Sequence, residues 1–141
     1  AVNNAMPFHI VDLALRALQA AGVQESNARV AVLGYAYLEN SDDTRNSPSQ
    51  VAVERMHQLG IDVVIHDPWV PEHKGDVWHC VSGCDAAVFM VKHQDYCSLD
   101  LYRLRVALRT PILIDGRYIF SSDQAEAVGL RYSAVGQGTK L

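Results

Sequence analysis

Residues 29–67, RVAVLGYAYLENSDDTRNSPSQVAVERMHQLGIDVVIHD, decide the fold. They open on RVAVLGYA, a run rich in Val and Leu that predicts a buried strand breaking at Gly34. SPSQVAVERMHQLG carries the marks of a helix, with Ser47 as N-cap, Pro48 in the first position and Gln50 placed to complete a capping box. Ala52, Met56 and Leu59 fall on one face of it, and Gly60 is the expected stop. IDVVIHD then predicts a second strand. A helix linking two such strands predicts parallel pairing and a right-handed crossover.

The same alternation continues outward. DAAVFMV (85–91) and TPILIDG (110–116) predict two further strands, and between them LDLYRLRVALR puts Leu101, Leu104 and Leu108 on one helical face. A short helix is expected near 123–128, stopped by Gly129, and RYSAV predicts an edge strand. The expected fold is α/β and Rossmann-like: a doubly wound, mainly parallel sheet of about five strands. Ahead of it, MPFHIVDLALRALQAAG reads as a helix with Pro7 in its first turn and Phe8, Val11, Leu15 and Leu18 at helical spacing. Ile10, Ala14, Ala17 and Ala21 widen its apolar face, Gly22 ends it, and the polar VQESNA follows. So apolar a helix predicts a piece of a larger body, exposed here and prone to self-association. The division expected is 1–25 for that helix and 26–141 for the sheet domain.

Ligands of such sheets lie outside the carboxyl ends of the strands. Loops 35–47, 67–79, 92–98 and 116–122 are therefore where function is expected. The first of them lacks the glycines that let a backbone approach a pyrophosphate, since Gly34 is followed by Tyr35, Ala36, Tyr37 and Leu38. Gly34 then serves a tight turn, while Asp67 stands either where a ribose carboxylate would or in an ordinary turn with Pro68. Arg45 is expected to pair with Asp42 or Asp43 and shape its own loop, and Arg117, in DGR, is a candidate ligand contact. His66 is expected to be packed or at an edge, and His93 and Asp95 to lie in a solvated loop. No nucleophilic or acid-base set is formed, so no catalytic residue is assigned.

A formal charge of −4 leaves no footprint for nucleic acid or anionic membrane. No apolar run reaches the length of a membrane span and no signal peptide is evident, so a cytoplasmic protein is expected. Cys80, Cys84 and Cys97 are odd in number, which favours free thiols over a disulfide framework. His79, Cys80 and Cys84 fall short of a four-ligand zinc site, and no metal is expected.

VAVLGYAYLENSDDTRNSPS, GIDVVIHDPWV and ILIDGRYIF with GLRYSAVGQG resemble the C-terminal domain of the UDP-sugar 6-dehydrogenases, a family that includes the UDP-glucose and UDP-N-acetylmannosamine enzymes. NNAMPFHIVDLALRAL resembles the end of that family's central helical domain. The resemblance covers nearly the whole chain, and the wording of MPFH and HDPWV leans towards the N-acetylhexosamine branch. It implies a two-step, NAD-dependent oxidation of a sugar C6 alcohol, with NAD and the catalytic cysteine held by segments outside this chain. It further implies a UDP-sugar lying between this domain and those segments, within a homodimer or higher oligomer. Carried over residue by residue, the family's aromatic-lysine pair falls on Tyr37 and Leu38, so the aromatic is kept and the lysine is replaced. The family's sugar-nucleotide arginine falls on Arg117. Gly34, Asp43, Arg45 and Ser47 are implied to hold the loop. Losing a lysine beside Glu39, Asp42 and Asp43 is expected to weaken anion binding unless another cation, Arg117, compensates.

Overall fold

The computed structural model describes residues 5–135. Its centre is a five-stranded, wholly parallel sheet of order β2-β1-β3-β4-β5. The strands are β1 (Arg29–Leu33), β2 (Asp62–His66), β3 (Ala86–Phe89), β4 (Ile112–Asp115) and β5 (Arg131–Ala134). The helices are α1 (Met6–Ala20), α2 (Pro48–Gln58), α3 (Val77–Val81), α4 (Gln94–Cys97), α5 (Leu101–Ala107) and α6 (Ser122–Ala127). The expected strands are all present; α3 and α4 are additions too short for periodicity to announce. Among the described residues no helix is long and apolar enough to cross a membrane.

Alternation along the strands builds two cores. Val30, Val32, Ala86, Val88, Ile112 and Ile114 meet α1 and α2 on one face. Ala31, Leu33, Ala87, Phe89 and Leu113 meet Val81, Tyr96, Leu104, Leu108 and Ala125 on the other. The strand order reverses between β1 and β3, so a crevice opens there at the carboxyl edge.

Helix α1 differs from expectation. Its buried stripe is Ile10, Val11, Ala14 and Leu18, packed against α2 and the sheet, while Phe8 points outward. The β3–β4 half of this sheet face would otherwise be bare, so the helix completes a layer. Residues 3 and 4 of the NNAMPFH element lie outside the described residues.

Four of the helix starts, those of α2, α3, α5 and α6, are capped by side chains. Ser47 accepts from Ser49 N, Asp76 from His79 N, Asp100 from Arg103 N and Ser121 from Gln124 N. The capping box of α2 does not close: the Ser47 N–H goes to Thr44 O. At the opposite end of the sheet, Asp85 accepts Arg29 N, both the Nε and a terminal nitrogen of Arg109, and the Thr110 hydroxyl. This ties the starts of β1, β3 and β4 together.

Two glycines permit close approach at the carboxyl edge. A Cβ on Gly34, where φ is +97°, would lie 2.8 Å from Val91 N; one on Gly116 would lie 2.7 Å from Phe89 O. Gly34→Ala is expected to cost roughly 2–4 kcal/mol, through left-handed backbone strain and overpacking together. Urea unfolding should show the midpoint falling at unchanged slope; a midpoint equal to that of the native chain would show that the contact can relax.

Candidate functional site

Four loops crown the carboxyl edge, and two buried aspartates organise them. Asp67 follows β2 and is fully buried. One carboxylate oxygen accepts Tyr35 N at 2.7 Å, Ala36 N at 2.9 Å and His93 Nε2 at 2.9 Å; the other accepts Trp69 N at 2.8 Å. His93, also fully buried, accepts Asn40 N on Nδ1 at 2.8 Å, so its proton sits on Nε2, facing the carboxylate. The chain turns again at Asn40, whose φ is 55° and whose Oδ1 accepts Gln94 N. The Asp67–His93 pair thereby joins the loops after β1, β2 and β3.

Asp67 does stand in the expected turn with Pro68, Val70 N donating to Asp67 O at 3.3 Å and Trp69 N to its carboxylate, but that carboxylate is buried and committed to the surrounding loops rather than open to a ribose. Its oxygen occupies the amides just after Gly34, the position where a phosphate loop would offer donors. His93 is likewise not in a solvated loop, although Asp95 beside it is exposed. Neither role was readable in the sequence, where the two residues are 26 positions apart. His66 is packed beneath them. Its Nε2–H donates to Gly75 O and its Nδ1 meets the Tyr96 hydroxyl at 2.8 Å; burial depresses its pKa, keeping it neutral.

Asp115 does for the fourth loop what Asp67 does for the first three. It accepts Arg117 N, Ile119 N, Phe120 N and the Tyr132 hydroxyl. Tyr132 is the tyrosine of the GLRY element, and burial followed by the Asp115 bond raises its pKa; Gly136 of that element lies outside the described residues. The turn so braced presents Arg117 and the exposed Tyr118, whose φ is 54°. The Arg117 guanidinium has no hydrogen bond or ion pair among the described residues.

The remaining sequence candidates fall around this edge. Tyr37 is half-buried and its N–H donates to Asp43 O at 2.6 Å, closing the first loop on itself. Leu38 is 56% exposed. Arg45 pairs with Asp43 rather than Asp42, through its Nε at 3.0 Å and a terminal nitrogen at 2.9 Å. That fork holds the Asp43 carboxyl at about 2. Ser47 is buried as the cap of α2, and Ser49 Oγ donates to Gly34 O at 2.8 Å, so helix and strand end are joined. Tyr37, Leu38, Asp43 and Arg45 share one loop, whereas Arg117 stands two strands away over β4. Of the thiols, Cys97 lies in the loop after β3 and donates to His93 O at 3.6 Å, whereas Cys84 is buried, which pushes it up to about 11; among the described residues no group of His, Cys, Asp and Glu could hold a metal.

Burial would raise the Asp67 pKa, but the bonds from His93, Ala36, Trp69 and Tyr35 outweigh it and hold the carboxyl at about 2. The unfolded chain therefore takes up this proton first as pH falls, and about 2 kcal/mol of stability is lost between roughly pH 4 and pH 2. Asp67→Asn, which points an amide NH2 at backbone donors, is expected to cost roughly 2–4 kcal/mol at pH 7 and to flatten that acid slope. Denaturant titrations across this range test both effects; an unchanged slope would count against the pair.

The sequence profile described as "UDP-glucose/GDP-mannose dehydrogenase family, UDP binding domain" matches residues 31–122. A UDP-N-acetyl-D-mannosamine dehydrogenase of Pyrococcus horikoshii is 34% identical over 97% of this chain and 32% of its own length. A UDP-glucose 6-dehydrogenase of Rhizobium meliloti is 29% identical over 86% of this chain and 30% of its own length. The solved structure of the Pyrococcus UDP-D-ManNAc dehydrogenase superposes with a TM-score of 0.89, covering 96% of this chain and 32% of that one. An NDP-N-acetyl-D-galactosaminuronic acid dehydrogenase of Methanosarcina mazei Go1 superposes at 0.88 and 32% identity, over 95% of this chain and 30% of its own. The chain thus spans about a third of the length of these relatives. With the fold, the matched profile and these relatives in agreement, the chain belongs to the UDP-glucose/GDP-mannose dehydrogenase family, of which it carries the UDP binding domain.

Proposed function

We propose that this chain is the nucleotide-sugar-binding part of an NAD-dependent UDP-sugar 6-dehydrogenase, and that it takes a UDP-N-acetylhexosamine in preference to UDP-glucose. The names of the Pyrococcus and Methanosarcina relatives support that preference. In this reading NAD and the catalytic cysteine belong to segments of a longer, cytoplasmic and oligomeric enzyme. Residues 1–25 are the end of its central helical domain, and the chain alone performs no oxidation.

Arg117 is the observation that carries the reading. It is a partly buried cation without a hydrogen-bond or ion-pair partner among the described residues, displayed by a turn whose Arg117, Ile119 and Phe120 amides are committed to Asp115. A rigid, unpaired guanidinium at the carboxyl edge suits a diphosphate. Lys92, exposed after β3, adds a second positive charge at the same edge. These two cations offset Leu38, which occupies the place of the family's lysine, while Tyr37 supplies the aromatic wall. Asp43, Arg45, Ser47 and Gly34 hold the loop.

A second reading, a ligand-free assembly module of the same fold, is favoured by Leu38 itself, an exposed apolar side chain beside Glu39 where a cation is expected. Calorimetric titration of UDP separates the two. Arg117→Ala is expected to weaken UDP binding about 10- to 100-fold, the worth of one charge-assisted contact. Leu38→Lys is expected to tighten it severalfold. No heat and no perturbation at millimolar UDP would favour the assembly module. The chain with NAD and UDP-N-acetylglucosamine should produce no NADH at 340 nm; turnover would overturn the division of labour.

A further inference from the structure

Two buried histidines, His66 and His93, flank Tyr96 beneath the carboxyl edge, each with its ring centroid 5.7 Å from that of the tyrosine. Each uses one ring nitrogen as a donor and the other as an acceptor. What the acceptor nitrogen faces differs. His66 Nδ1 meets the Tyr96 hydroxyl, which can turn its proton to His66 O and accept instead. His93 Nδ1 meets the backbone N–H of Asn40, which can do nothing but donate. We propose that His93 is a proton-gated latch on the first loop: a proton taken up on Nδ1 sets two donors face to face and releases residues 38–42 from the body of the fold.

Asn40 is where this stretch is fastened. Its N–H goes to His93 at 2.8 Å and its Oδ1 accepts Gln94 N at 3.3 Å. The neighbouring bonds tie the loop to itself: Tyr37 N donates to Asp43 O, Asp43 N to Ser41 Oγ, and Arg45 forks onto Asp43. Asn40 also holds a left-handed φ of 55°, a strained state that persists where surrounding bonds over-determine it, and the His93 bond is one of those. The other side of the imidazole is unaffected. Nε2 keeps its proton and its bond to Asp67, which becomes charge-assisted at both ends. Asp67 therefore keeps Tyr35 N and Ala36 N, and the opening is confined to the tip of the loop.

Titratable groups approach His93 from every element packed on it. Asp67, after β2, touches it at 2.9 Å. The α4 turn brings Tyr96, whose hydroxyl burial holds in its neutral form, and Cys97, whose Sγ donates to His93 O at 3.6 Å. Beyond Tyr96 stands His66, kept neutral by burial. His73 packs on the ring of Tyr35 at 5.2 Å, and Tyr35 N shares the Asp67 oxygen. Glu39 and Asp42 on the first loop, and Lys92 and Asp95 beside His93, are exposed and screened by water, while Asp43 is taken by Arg45. Among the described residues, then, the buried counter-charge to an imidazolium at His93 is Asp67. Leu38 rides on the released tip and Tyr37 adjoins it, so the latch sets whether the first loop stands over the edge. That bearing on ligand rests on the nucleotide-sugar reading above; the latch itself does not.

The test follows the backbone amides of the 15N-labelled chain from about pH 8 to about pH 5, the range in which imidazoles titrate and well above that in which Asp67 is discharged. The Asn40 and Gln94 amides are expected to shift and to lose protection from hydrogen exchange in step with the His93 ring, while those of Tyr35 and Ala36 stay. His93→Gln offers an oxygen to Asn40 N and an NH2 to Asp67 at every pH, and should hold the Asn40 amide fixed across the range. His66→Gln should leave the transition in place. UDP-N-acetylglucosamine, whose diphosphate is esterified at both ends and does not titrate here, should bind about three- to tenfold more weakly at the acid end, and equally at both ends in His93→Gln. An Asn40 amide indifferent to pH, or one that moves as far in His93→Gln, would overturn the latch. Loss of the response in His66→Gln would overturn it too, by handing the trigger to the other histidine. An Asn40 response with no binding at any pH would uphold the latch and sink the nucleotide reading.

Discussion

A single carboxylate, buried with its charge, holds the functional edge of this molecule together. Asp67 is fully buried, and the desolvation it suffers is tolerable only because three backbone N–H groups and a histidine converge on it. Once that cost is met, the constraint runs both ways. The loops after β1, β2 and β3 must keep the arrangement that satisfies Asp67, and His93 must keep its Nδ1 turned to Asn40. Removing any one partner leaves a buried charge short of a donor.

This explains why a strand-turn-helix that looks built for phosphate lacks the glycines for it. In phosphate loops the free amides at the turn wait for an external anion. Here the amides of Tyr35 and Ala36 are already occupied by an internal one. An external anion would find no free donors at this turn, whereas Asp115 takes up the backbone of the DGR turn and leaves the Arg117 side chain uncommitted among the described residues. Asp85 closes the opposite end of the sheet in the same manner through Arg109. Three aspartates at strand ends thus set which cations are spent on structure and which stay available.

The parts of this architecture that were legible in sequence share a property. The strands 29–33, 62–66, 86–89, 112–115 and 131–134, the cap at Ser47 and the Arg45–Asp43 fork all depend on residues within a few positions of one another. Short-range expectation failed where a competing partner stood further along the chain. Phe8 was displaced from the buried stripe by Ile10 and Ala14, which fit closer to the sheet. The sugar-nucleotide roles of Tyr37, Leu38 and Arg117 came from resemblance, not from periodicity or spacing.

By itself the sequence determined the alternation of strand and helix, the parallel sheet and the edge at which loops gather. Those follow from periods of 2 and 3.6 residues and from crossover handedness, which neighbouring residues impose whatever the rest of the chain does. Only the tertiary structure decided that Asp67 faces inward, that His93 is its partner, that α1 covers half a sheet face, and that Asn40 meets His93 and Gln94. Such pairings join residues from 26 to 54 positions apart. Whether a buried aspartate finds its donors depends on the packing that brings strand ends side by side, and no local pattern records it.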